Sequence, residues 1–191
     1  MVGLLPLALF AFKRNIIKEH LPVFLFVFNS IFFELISTLC AYLFKNNVIV
    51  FNLYDVFQLL ILFSFFKKYY GLNSIAMLVS FIIYSVVYVL TFNTKGAMQD
   101  AYTTAGLIIV TLSILSLINS LLNPIRKDLK NINLITFSFL FYNLFALVLF
   151  VISNYIFKNE VDLWIIHNVI QIISILIISY SIWKIPSKSE Y

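Results

Sequence analysis

Charge is what this sequence has least of. Asp, Glu, Lys and Arg make up 11% of the 191 residues, while 62% are hydrophobic. A soluble domain is about a quarter charged and less than half apolar. One core cannot hide that much apolar surface, so the composition points to an integral membrane protein. Histidine is nearly missing: only His20 and His167 occur. They fall at opposite sides of the membrane, so the three ligands of a catalytic zinc site do not come together and no metal centre is expected. The four glycines, Gly3, Gly71, Gly96 and Gly106, have no candidate Ser beside them, which excludes the Gly-flanked motif of an intramembrane serine protease. The four prolines, Pro6, Pro22, Pro124 and Pro186, avoid the middle of every full apolar run, so no broken helix marks a transport site. Cys40 stands alone, so no intramolecular disulfide can form. The opening MVGLLPLALFAF has neither a basic n-region nor a cleavage site and is read as mature protein.

What is there is a series of apolar runs, near 1–12, 21–44, 50–66, 74–92, 102–122, 133–157 and 162–183. Six are long enough to cross a hydrocarbon core of ~30 Å at 1.5 Å per residue. The first reaches only ~18 Å. Strands would need period-2 alternation, which is absent, so the runs predict helices. Lys13, Arg14, Lys18, Lys67, Lys68, Arg126, Lys127, Lys130, Lys184 and Lys188 fall on one side of this arrangement. Only Lys45, Lys95 and Lys158 fall on the other. That asymmetry predicts an outside N-terminus and a cytoplasmic C-terminus. The formal charge of +5 is spread through these loops and is not a nucleic-acid footprint. The lipid bilayer is the first partner the sequence implies.

A shift of 113 residues lays FKNNVIVFNLYDVFQ (44–58) over FKNEVDLWIIHNVIQ (157–171). Phe44, Lys45, Asn46, Val48, Val56 and Gln58 meet identical residues. Without a gap, Lys13-Arg14 meets Arg126-Lys127, and Phe24, Phe26 and Phe28 meet Phe137, Phe139 and Phe141. Loops, basic turns and span ends coincide. The expected architecture is therefore an all-α seven-helix bundle of six full spans plus a short first one. It is one membrane domain over 1–191: repeat 1 at 1–70, a linker helix at 74–92 and repeat 2 at 102–184. An odd number of linking spans makes the repeats parallel.

Ionisable groups inside a membrane are functional candidates because each costs several kcal/mol unless partnered. Three fall within spans: Glu34, Asp55 and His167. Trp164, His167, Asn168, Gln171 and Ser174 share one helix face, Asn52, Asp55 and Gln58 form a similar stripe, and Tyr54 matches His167 under the 113-residue shift. The expectation is a polar pocket in the outer half, between the second, third and seventh spans. Glu34, Asn52, Tyr54, Asp55, Gln58, Trp164, His167, Asn168 and Gln171 line it. The other reading of the same residues is an interhelical hydrogen-bond network that fixes packing. Span 4 residues such as Tyr84 and Tyr88 are read as packing contacts.

No catalytic constellation emerges. Tyr54-Asp55 matches the Tyr-Asp pair of intramembrane aspartyl proteases, but the second, Gly-flanked Asp is missing. Glu34 with Asp55 leaves lipid hydrolysis as a minor alternative. The two parallel three-helix repeats and their linker resemble the arrangement of SWEET sugar transporters and related vitamin transporters, without the proline-containing signature of those families. The stretches NLYDVFQLLILFSFFKKYY and LWIIHNVIQIISILIISYSIW resemble an uncharacterised family of small seven-helix bacterial integral membrane proteins. Its members carry a Glu about where Gln58 sits, a point at which this sequence departs. The resemblance implies the fold and a bacterial inner membrane. The functional expectation is non-enzymatic binding or sensing of a small ligand, without cofactor. A protein partner could dock at the cytoplasmic face. Small-solute transport is the alternative.

Overall fold

The computed structural model describes residues 4–44, 48–91, 97–122, 129–156 and 160–185. Those residues are almost wholly helical. The helices are α1 (Leu4–Phe12), α2 (Arg14–Glu19), α3 (Leu21–Phe44), α4 (Val48–Tyr70), α5 (Ser74–Thr91), α6 (Ala97–Leu122), α7 (Leu129–Ile156) and α8 (Glu160–Lys184). The all-α expectation holds, with one addition: KRNIIKEH, the charged break between the first two apolar runs, contains α2. Pro22 explains why α2 and α3 are separate. Its ring cannot donate a backbone N–H and clashes with the preceding turn, so it belongs at a helix start. The chain accordingly breaks at His20 (φ −116°, ψ 36°) and restarts, with Val23 N and Phe24 N donating to the His20 carbonyl at 3.0 and 3.1 Å.

Four helices, among the described residues, are long and apolar enough to cross a membrane: α3, α6, α7 and α8, over Leu21–Cys40, Thr103–Leu122, Leu129–Leu149 and Ile165–Lys184. α5 is apolar but shorter. α4, which carries Asp55, Gln58, Lys67 and Lys68, is not in that set. Large apolar side chains face outward along these helices, among them Leu35, Leu39, Ile75, Val89 and Leu121. Water would oppose that arrangement, whereas lipid accepts it.

The chain divides into two compact units. One is Phe10–Ala105. Here α3 runs antiparallel along α4, with Val23, Val27, Leu59, Leu62 and Phe66 buried. Gly71 ends α4 in the left-handed conformation (φ +69°), which costs glycine least. Asn73 then caps α5, its Oδ1 accepting from Ile75 N at 3.0 Å. The other unit is Gly106–Tyr191 with the residues up to Leu9. In it α7 lies along α8, fastened at mid-length by Ser138 and Ser174. Their hydroxyls lie 2.6 Å apart, and Ser138 Oγ also donates to the Ser174 carbonyl at 2.9 Å. Asn133 Nδ2 donates to Ser120 Oγ at 2.8 Å and ties α7 to α6.

At the α2–α3 break, the Tyr69 hydroxyl hydrogen-bonds His20 Nδ1 at 2.7 Å, and the two rings stack. Lys68 Nζ donates to the Glu19 carbonyl. Burial lowers the pKa of His20, nearby Lys68 lowers it further, and Glu19 opposes both. His20 is therefore neutral in the folded protein at neutral pH. Below its ordinary value of 6.5, the unfolded chain takes up a proton that the folded chain resists, so acid destabilises the fold. Measured against His20→Gln, the wild type should lose melting midpoint as the pH falls from 7.5 to 5, since only the wild type carries the imidazole whose protonation the fold resists.

Candidate functional site

Four buried polar side chains lie in the unit Phe10–Ala105: Asn29 on α3, Asp55 and Gln58 on α4, and Tyr84 on α5. Asp55 and Gln58 lie on successive turns of α4, 4% and 5% exposed. The α3–α4 register is fixed by three contacts. Ser30 Oγ lies 3.5 Å from the Tyr54 hydroxyl. The Phe33 ring lies 5.8 Å from both Tyr54 and Phe57. That register brings Asn29, one turn from Phe33, level with the stretch of α4 from Asp55 to Leu59. Asn29 is 7% exposed. α5 adds Tyr84, 2% exposed and within Coulombic range of Asp55, with its ring stacked on Tyr88 at 6.2 Å.

Two atoms of this cluster have no hydrogen-bond partner: Asn29 Nδ2 and the Tyr84 hydroxyl. Each is a donor removed from water, and leaving one unmade costs ~1–3 kcal/mol. Packing alone gives no reason to keep them. The one other such atom among the described residues is Ser113 Oγ, on α6.

The sequence-derived residues distribute as follows. Asp55 and Gln58 are buried together, with partly buried Tyr54 beside them. Glu34 departs from expectation: it stands at an exposed position of α3. Ser30 and Phe33 face α4, and Glu34 is ~100° further round the helix than Phe33. Its backbone carbonyl accepts from Thr38 Oγ1 at 2.8 Å. The side chains of Asn52 and Trp164 lie outside the described residues. His167, Asn168 and Gln171 belong to the other unit and are partly buried on α8. His167 Nε2 is 3.3 Å from the Tyr142 hydroxyl of α7, the rings meeting edge to face at 5.6 Å. Tyr142 and Asn29 were not anticipated. Asn29 was visible as a lone amide within VFLFVFNSIFF, and a search restricted to ionisable groups passes over it.

The fold defines an α-helical membrane protein with a buried polar cluster. Comparison of the chain with protein-family models, with curated proteins and with solved structures finds no match.

Proposed function

We propose that the protein is a multi-pass inner-membrane protein, non-enzymatic, that binds or senses a small ligand at the buried cluster of Asn29, Asp55, Gln58 and Tyr84. One observation carries this reading: two buried donors have no acceptor at the level of a buried carboxylate. A structural network would satisfy its own members. A ligand-binding one keeps groups in reserve. The experiment is a series of thermal melts of wild type and Asp55→Asn across a panel of small polar metabolites. A compound that raises the wild-type midpoint but not the variant's supports binding. Identical profiles across the panel would return the cluster to a packing role.

Transport within a three-plus-one-plus-three architecture is the second reading. It draws on the recurrence of helix bounds. Adding 113 to the bounds of α4 (48–70) gives 161–183, against 160–184 for α8, and adding it to α3 (21–44) gives 134–157, against the end of α7 at 156. The Ser30–Tyr54 contact would fall on Asn143 and His167, and His167 in fact meets Tyr142, one residue away. Pro22 has Ile135 as its counterpart. The proline accounts for α3 starting afresh while α7 runs unbroken. Seven spans, an outside N-terminus and a cytoplasmic C-terminus complete the proposal. Reporter fusions after residues 47, 97 and 159 should all read outside, and a cytoplasmic signal at any of them overturns the topology. Uptake of labelled panel compounds into vesicles holding only this protein separates transporter from sensor.

A further inference from the structure

We propose that the ligand of the Asn29–Asp55–Gln58–Tyr84 cluster is a small organic cation that also carries a hydrogen-bond acceptor, a hydroxyl- or carbonyl-bearing amine. This rests on the binding reading above and gives it a chemical class.

The charge comes from Asp55. The residue is 4% exposed on α4. No described cation stands near it. The described basic residues of its unit, Lys13, Lys18, Lys67 and Lys68, gather where α2 meets the end of α4. Lys67 is twelve residues along α4 from Asp55, ~18 Å away. A buried carboxylate without a counter-charge is costly, and an incoming cation removes the cost.

The acceptor requirement comes from the two unpartnered donors. Asn29 Nδ2 can only donate, and the Tyr84 hydroxyl has a hydrogen to give. A bare metal ion cannot receive either hydrogen bond, and the described residues contain no group of three metal-ligating side chains. A water molecule would receive both but leave the carboxylate uncompensated. One small molecule bearing an ammonium and an oxygen meets both demands. Gln58 offers it an amide with donor and acceptor ends. Rings lie beside the cluster: Tyr84 stacked on Tyr88, and Tyr54 against Phe33. Aromatic faces attract ammonium groups more than neutral solutes of the same shape.

The test uses the full-length protein in detergent and two series matched in shape. The first is ethanolamine, ethylene glycol and glycolate. The second is choline and its neutral isostere 3,3-dimethylbutan-1-ol. Thermal midpoints are followed as each compound is titrated. The amines should bind at least about tenfold more tightly than their neutral partners, a difference of ~1.4 kcal/mol. Asp55→Asn should abolish that preference, and Gln58→Glu should strengthen it. A neutral or anionic member that binds as tightly as its amine overturns the charge assignment and leaves ligand binding intact. A flat response to both series overturns the proposal. The binding reading itself falls only if wild type and Asp55→Asn also respond identically to the wider metabolite panel.

Discussion

Replacing Asp55 with Asn should make the ligand-free protein more stable, by about 1–3 kcal/mol. The usual result for a buried polar residue is the opposite, because its removal strands a partner. Here no described cation is left behind, since the described basic residues of the unit lie where α2 meets the end of α4. Asn matches Asp in shape, so the packing of Leu59 and Leu62 on the same helix is preserved, and the carboxyl no longer has to be held away from water. For a chain of this length each kcal/mol moves the midpoint by ~2–4 °C. The measurement is a melt of wild type and variant side by side in the same detergent without added ligand. A stabilised variant that has lost its ligand response is the signature of a site maintained at the expense of stability. A variant that is less stable than wild type would mean that Asp55 is a structural member with partners, and would count against the uncompensated carboxylate on which the amine proposal rests.

The residues legible in the sequence were those whose cost is independent of partners. Asp55 and Gln58 announce themselves because a carboxylate and an amide in an apolar run are expensive wherever they point. The helices were legible for the same reason: hydrophobic length alone sets a span, and α3 begins and ends where its run does. What could not be read was direction. Glu34 lies in the same kind of run as Asp55, yet ends up exposed, because a 100° step per residue decides whether a side chain faces α4, and that angle is fixed by tertiary contacts such as Ser30–Tyr54 and Phe33–Phe57. Tyr84 looked like one more packing contact on α5. Its role depends on its buried hydroxyl having no acceptor, a property of the neighbours and not of the residue. α2 was hidden by its charges, which mark a membrane boundary equally well whether the chain there is loop or helix.

Gly106→Val should cost about 1–3 kcal/mol, the range for inserting methyl groups into an interface already in contact. Gly106 is buried on α6, and a Cβ built there would lie 3.2 Å from Leu147 Cδ2 and 3.3 Å from its Cγ. Alanine needs only a shift of a few tenths of an ångström from a leucine tip, so Gly106→Ala should be mild. Valine adds two methyls toward the same side chain, which is itself buried on α7. Without water to drive helices together, close approach at small residues is much of what holds membrane helices to one another. The remaining ties between α6 and α7, such as Asn133 to Ser120, lie some turns away and cannot absorb the displacement. The diagnostic is rescue: Leu147→Ala in the Gly106→Val background should recover part of the lost midpoint, although Leu147→Ala alone is destabilising through its cavity. Additive losses in the double variant would place the damage in the helix backbone and not in the α6–α7 contact. Because Gly106 and Leu147 belong to the unit that excludes Asp55, the amine preference proposed for the cluster should survive in whatever fraction of this variant remains folded.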